Sequence, residues 1–314
     1  MNERLLTAAL AQGGVFAASD ATRVGVGSDE ISRLIRGREI MRVRRGAYVL
    51  TSAYAVAKPH EQYLLRVRAV LRSRPDGDRA SHHSALALHG VARYDVDERV
   101  VEVESRSVQG RRTRSGLVTN PWSNSGTWRN GTSPCVSVAQ ACVQVAAGSG
   151  FMAGLCAMDS ALHLKRCTRQ EIQDAAGDLP PIHRAVALRA LAAADELCES
   201  PGETRTRIIL IDAGFTVVSQ FEVPISAGNT RRGDFLVDGC VLVEFDGLMK
   251  YEGLDGKHNL AAEKLREREL NRLGYEIVRL TWRDLRDPAL VIRLVREARA
   301  LAMERRRAMA GARG

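Results

Sequence analysis

The chain has 314 residues, 45% of them hydrophobic and 26% charged, with a formal net charge of +9. That length exceeds one simple core and points to two or three domains, and the composition excludes a disordered chain. The absence of any run of about 18 apolar residues argues against a spanning helix. The N-terminal MNERLLTAALAQGG has no apolar leader core, so the expected localisation is cytoplasmic, with no membrane partner.

The six cysteines, Cys135, Cys142, Cys156, Cys167, Cys198 and Cys240, contain no C-x-x-C pair. They read as reduced, buried thiols. Arginine supplies most of the positive charge, and its guanidinium fork binds phosphate bidentately, so a nucleic-acid partner becomes a question for the motifs.

Taken in chain order, residues 3–12 predict a short amphipathic helix stopped by Gly13 and Gly14. A second helix fits 19–24 with Ser19 as its cap. A third fits 28–37, with Ser28 as N-cap and Ile31, Leu34 and Ile35 on one face. The run IMRVRRGAYVL then alternates as a hairpin, with Gly46 at the turn. Three short helices followed by a basic hairpin is the order of a winged helix. Arg33, Arg36 and Arg38 lie on or just after the third helix, and Arg42, Arg44 and Arg45 lie on the hairpin. Helix residues in a major groove and hairpin arginines on phosphate would suit DNA; a solvated basic surface is the competing reading.

The landmarks Gly13-Gly14, S-x-x-I-x-x-L-I-R-G and R-V-R-R-G-A-Y-V-L resemble the N-terminal domain of AbiEi-type antitoxins. That resemblance implies a winged-helix DNA-binding domain over 1–54 and promoter DNA as a partner. A cognate toxin or a second copy of the chain would be further partners.

Residues 55–195 read as a mostly helical middle region with a small sheet. Helices are expected at 59–74, across DRASHHSALALHGV, and at 135–147, 150–164 and 168–175, with strand fragments and loops over 98–133. His82, His83 and His89 tempt a metal reading. Adjacent histidines point to different faces, so ordinary helix residues are the expectation.

From 196 onward, ESPGETRTRIILIDAGF opens with Ser200 as N-cap, Pro201 at the first position and Glu203 three after the cap, a capping box. TVVSQFEVPI, RRGDFLVDG and CVLVEFDG read as strands, with a turn at Asp238-Gly239. A helix over 258–273, a fourth strand in YEIVRLTW and an arginine-rich final helix follow. Trp282 reads as a core residue. The fold class is therefore α/β in composition and α+β in arrangement. The 196–314 order of helix, three strands, helix and strand is that of PD-(D/E)XK nucleases.

Two acids inside an apolar strand are costly unless paired. Asp234 stands at the start of one strand and Glu244 on the next, where hairpin pairing can bring them together. Asp246 is two residues on and shares the face of Glu244. Such acids could converge on Mg²⁺ or Mn²⁺ and activate a water against a phosphodiester.

The set S-P-x-E, R-x-D-F, V-E-F-D-G-x-x-K-Y and E-K-x-R-E-x-x-L-x-x-x-G-Y-x-I-V-R-L-T-W, over about 200–286, resembles a group related to very-short-patch mismatch repair endonucleases. The resemblance implies a nuclease site of Glu203, Gln220, Asp234, Glu244 and Asp246, with Asp234, Glu244 and Asp246 on the metal. Asp246 occupies the usual lysine position of the family motif, which leaves Lys250 and Lys264 as the candidate basic residues. Two functions stay open: a metal-dependent DNA endonuclease in defence or repair, and a toxin–antitoxin-like transcriptional repressor whose nuclease domain is degenerate.

Overall fold

The computed structural model describes residues 1–74, 77–226, 229–247 and 267–311. The chain is a mixed α+β protein that divides into two compact units, Met1–Ala194 and Asp195–Gly314.

The first unit opens with α1 (Glu3–Ala11), β1 (Val15–Ala17), α2 (Ala18–Arg23), α3 (Ser28–Arg36), β2 (Ile40–Arg44) and β3 (Ala47–Leu50). Asn2 starts α1, its side chain accepting the N–H groups of Arg4 and Leu5. The strands form an antiparallel sheet in the order β1-β3-β2, with Val49 opposite both Val15 and Met41. Gly46 holds φ +81° at the hairpin turn, a conformation that costs a glycine little. Leu5, Phe16, Leu34, Ile40 and Tyr48 close the core beneath, with Phe16 and Tyr48 stacked at 5.1 Å.

Two expected caps are corrected. Gly27, in extended backbone, is the N-cap of α3, and Ser28 is already helical. Likewise α2 begins at Ala18, so Ser19 lies inside it; the Asp20 carboxylate accepts the Ala17 N–H instead.

The unit continues through α4 (Thr51–Val56), α5 (Pro59–Arg72), β4 (Arg79–Ala80) and α6 (His82–His89). Pro59 takes the first turn of α5, where its missing N–H costs nothing. Five strands follow: β5 (Val101–Ser105), β6 (Arg112–Arg114), β7 (Leu117–Pro121), β8 (Trp128–Asn130) and β9 (Ser133–Cys135). With β4 they make a six-stranded mixed sheet in the order β6-β7-β5-β4-β9-β8. The expected small sheet is thus a substantial one, built from strands of two to five residues.

Four helices complete the unit: α7 (Val138–Ser149), α8 (Phe151–His163), α9 (Arg169–Gly177) and α10 (Pro181–Ala193). Gly154 lets α8 approach α7 closely, since a Cβ there would overlap Ala146.

The second unit contains α11 (Pro201–Asp212), β10 (Val217–Ser226), β11 (Asn229–Val237), β12 (Val241–Phe245), the helical residues 267–272 (α12), β13 (Glu276–Leu280), a 3₁₀ turn (Asp284–Arg286) and α13 (Pro288–Gly311). Its sheet runs β10-β11-β12-β13, antiparallel up to β12 and parallel between β12 and β13. Asp238 and Gly239 both take positive φ, 47° and 68°, at the β11–β12 turn. Alternation gives the sheet two apolar faces. Phe235, Val237, Val241 and Val243 join Leu210 of α11 and Val291 and Val295 of α13. Leu236 and Leu242 join Val223 and Leu270 of α12.

Candidate functional site

The acids step in phase with the second face: Asp234 precedes Leu236 by two, and Glu244 follows Leu242 by two. Val243 and Phe245 turn to the opposite face. The β11–β12 ladder pairs Phe235 with Val243, so one more step sets Asp234 across from Glu244. The β10–β11 register sets Gln220, between Ser219 and Phe221, across from Asp234. In the parallel pair, Glu244 lies opposite Arg279. Gln220, Asp234, Glu244 and Arg279 therefore form one row across four strands.

Glu203 reaches this row from the start of α11. Only 7% exposed, its carboxylate accepts from the Glu199 N–H at 2.9 Å, the Ser200 hydroxyl at 2.7 Å and the Gln220 side-chain amide at 3.2 Å. Ser200 caps α11 by accepting the Glu203 N–H. The box differs from the expected one, because the Glu203 carboxylate accepts the Glu199 N–H where a capping box uses the N–H of the cap residue. Gln220 holds φ 51°, a conformation unfavourable for a residue with a side chain. Strain of that kind clusters at functional sites.

Burial pushes the Asp234 carboxyl up to about 6, against the lowering effect of the Phe245 N–H, which donates to its Oδ2 at 2.6 Å. The neighbouring Glu203, Glu244 and Glu199 raise it further. This is the signature of carboxylates crowded into one partly dry space. Glu244 has different neighbours. Arg279 Nε lies 3.3 Å from one of its oxygens and Arg231 Nη2 lies 3.6 Å from the other. The partners that make the two strand acids tolerable here are thus a backbone N–H and two guanidiniums.

Asp246 sits one residue beyond β12 and is exposed; its N–H donates to the Leu280 carbonyl at 2.8 Å. Lys250 and Lys264 lie outside the described residues. Among the described residues no three His, Cys, Asp or Glu side chains form a group that could hold a metal ion. The donors of Asp234, Glu203 and Glu244 are all oxygen, the chemistry that a hard cation such as Mg²⁺ accepts. Glu244 would have to exchange its two arginines to join such a site.

Arg231 and Arg279 were missed by sequence reasoning. Arg279 was recoverable, since it follows Ile277 by two on the acid face once the parallel register is assumed.

Gly202 sets the height of α11 over β12. A Cβ at this position would overlap the Phe245 ring, which packs edge-on against Trp282 at 5.1 Å. Trp282 is 38% exposed, so the expectation of a core tryptophan is corrected: it shelves the Phe245 ring at the rim. Gly202→Ala is expected to lower stability by about 1–3 kcal/mol through overpacking. Urea unfolding reads this directly, and a variant as stable as the parent would show that α11 can shift without cost.

In the first unit, Arg36, Arg38, Arg42 and Arg45 are exposed, and their side chains have no hydrogen-bond or ion-pair partner among the described residues. Arg33 pairs with Glu30 at 3.4 Å. Arg44 points elsewhere: it is half-buried, its Nη1 is buried without a hydrogen-bond partner among the described residues, and burial followed by the Arg74 and Arg114 guanidiniums lowers its pKa. Among the described residues His82, His83 and His89 belong to no group that could hold a metal ion. Burial lowers His82 to about 3 and His83 to about 4, and His89 Nε2 lies 2.8 Å from the Val136 carbonyl.

No family model matches the chain. Two uncharacterized proteins of Mycobacterium tuberculosis, from two strains, are each 30% identical to it over 135 residues, covering 42% of this chain and 49% of the relative. The chain thus spans about half the length of the curated relatives it matches. Among the described residues no helix is long and apolar enough to cross a membrane.

Proposed function

We propose that this is a DNA-binding protein whose C-terminal unit is a metal-dependent, endonuclease-like phosphodiester hydrolase. The observation that carries the reading is the row that sets Asp234 across from Glu244, where burial first and then the nearby Glu203, Glu244 and Glu199 push the Asp234 carboxyl up to about 6. Carboxylates crowded at the cost of their own ionisation are a functional-site signature, because a cation relieves the repulsion. Asp234 and Glu244 would hold Mg²⁺ or Mn²⁺, with Asp246 just past β12 as a third donor. Glu203 fixes the Gln220 amide beside them. A bound ion would supply charge neutralisation at the scissile phosphate and acidify a water. Lys250 and Lys264 are the basic residues assigned to the developing charge.

The N-terminal elements would deliver the protein to duplex DNA, with α3 toward the major groove and the β2–β3 hairpin on the backbone. Arg36, Arg38, Arg42 and Arg45 are available for that contact, with Arg33 once it leaves Glu30; Arg44 faces inward, toward Arg74 and Arg114.

A second reading is favoured by the Arg231 and Arg279 contacts with Glu244, which neutralise that acid without a metal. On this reading the protein is a toxin–antitoxin-like repressor with a degenerate nuclease domain.

Mn²⁺ titration by calorimetry tests the first reading. Binding in the parent that is lost in Asp234→Asn supports it, and no binding to the parent turns the assignment to the repressor. Duplex binding is tested separately through salt. Arg42→Ala with Arg45→Ala is expected to reduce the slope of log K against log [salt] by about 2, one for each phosphate contact removed. An unchanged slope would place the DNA surface elsewhere.

A further inference from the structure

The Met1–Ala194 unit contains a cavity of about 740 Å³ that neither proposed activity uses. Among the described residues Arg68, Arg72, Arg74, Arg106 and Arg129 line it, with Asp78 as the one acid on its wall. Among the described residues, five guanidiniums against Asp78 on the wall and Asp20 behind it leave a surplus of three positive charges.

Two of the five are partly neutralised. Arg74 pairs with Asp78 at 2.6 Å, and Arg72 pairs with the buried Asp20 at 2.7 Å. Arg68, Arg106 and Arg129 have no acidic partner among the described residues. The like charge extends past the wall, because Arg44 feels the guanidiniums of both Arg74 and Arg114. Unpaired guanidiniums concentrated around a cavity repel one another unless an anion occupies it.

The wall is also built to hold its shape. The Arg106 guanidinium lies over the Trp122 ring at 4.2 Å, and the fully buried Arg79 lies over the same ring at 3.8 Å. Arg79 in turn binds the carbonyls of Ser123, Ser125 and Gly126, so the loop carrying Trp122 is fixed. A guanidinium held this way loses less freedom when it binds phosphate.

We propose that this cavity binds a polyphosphate anion, free or as the phosphate chain of a nucleotide, with the linked phosphates held by Arg68, Arg106 and Arg129. The charge surplus calls for several negative charges on one ligand, and a bidentate fork suits phosphate oxygens. The volume is that of a small-molecule pocket. A single nucleic-acid strand would instead call for free stacking surfaces. Here the Trp122 ring is already covered by two arginines.

Calorimetry of the full chain with ATP, with inorganic triphosphate and with the oligonucleotide (dT)₁₂ tests the proposal. ATP and triphosphate are expected to bind and to compete with each other. The Arg106→Ala/Arg129→Ala double variant, altered at two exposed positions so that folding is retained, is expected to weaken both at least about 10-fold. Arg296→Ala, exposed on α13 outside the cavity, is expected to leave both unchanged. No binding of either anion, or binding that the double variant leaves intact, would overturn the proposal. So would tight binding of (dT)₁₂ that triphosphate fails to displace, which would assign the cavity to a strand.

Discussion

Arg79→Met is expected to destabilise the Met1–Ala194 unit by about 3–5 kcal/mol, the cost of removing one partner from a buried ion pair. Arg79 is fully buried, and Glu104 is 1% exposed. The two make a double contact, with Arg79 Nε and Nη2 at 2.9 and 2.6 Å from one Glu104 oxygen. Methionine keeps much of the stem's volume but leaves the Glu104 carboxylate without a cation in a dry site. It also orphans the carbonyls of Ser123, Ser125 and Gly126, which Arg79 now satisfies. Gln144 and Ser123 still donate to Glu104, so the charge is not wholly bare.

A second substitution separates charge from packing. Arg79→Met with Glu104→Gln removes the uncompensated charge, and part of the loss is expected to return. Urea midpoints followed by far-ultraviolet circular dichroism measure both. A single-variant loss under about 1 kcal/mol would mean that water or a rearranged loop replaces the guanidinium.

Asp234→Ala is expected to lower metal-dependent DNA cutting by at least about 10²-fold while duplex binding stays within a factor of about two. The magnitude is that of removing one preorganised group that faces developing charge. The separation of the two readouts follows from placement: Asp234 belongs to the C-terminal unit, and the arginines assigned to duplex DNA belong to the N-terminal one. Asp234 also anchors β12, since the Phe245 N–H donates to it. Asp234→Asn keeps an acceptor for that N–H and removes the charge. Equal loss in both variants attributes the effect to the carboxylate, whereas cutting retained by the asparagine variant would make Asp234 a positioning residue. Rates come from plasmid nicking and binding from fluorescence anisotropy.

How much of this was legible in the sequence depended on whether one element carried its own signal. The capped start of α11 was readable because Ser200, Pro201 and Glu203 act on their own helix. The β11–β12 hairpin was readable because Asp238 and Gly239 favour the left-handed conformation that the turn takes. The four-strand order followed from alternation in long apolar runs. β1 and the strands of the six-stranded sheet were blurred, because segments such as Arg112–Arg114 and Trp128–Asn130 are three residues long with every residue exposed. No periodicity exists over three residues.

The acids of the candidate site were legible as costly residues in an apolar run, but their partners were not. Arg231 and Arg279 reach Glu244 from the two flanking strands, and only the assembled register shows that. The inward turn of Arg44 was hidden for the same reason: its neighbours Arg74 and Arg114 are 30 or more positions away in the sequence. Asp246 fell past the strand end, where alternation no longer fixes the side-chain direction.

The most direct measurement is cleavage of supercoiled plasmid and of short single-stranded DNA by the purified chain, in Mg²⁺, in Mn²⁺ and in EDTA. The proposed site predicts cutting in at least one of the two metals, none in EDTA, and none by Glu244→Ala in any condition. No cutting in either metal, with salt-sensitive duplex binding intact, would contradict the nuclease and leave a DNA-binding regulator whose acids are held by arginine.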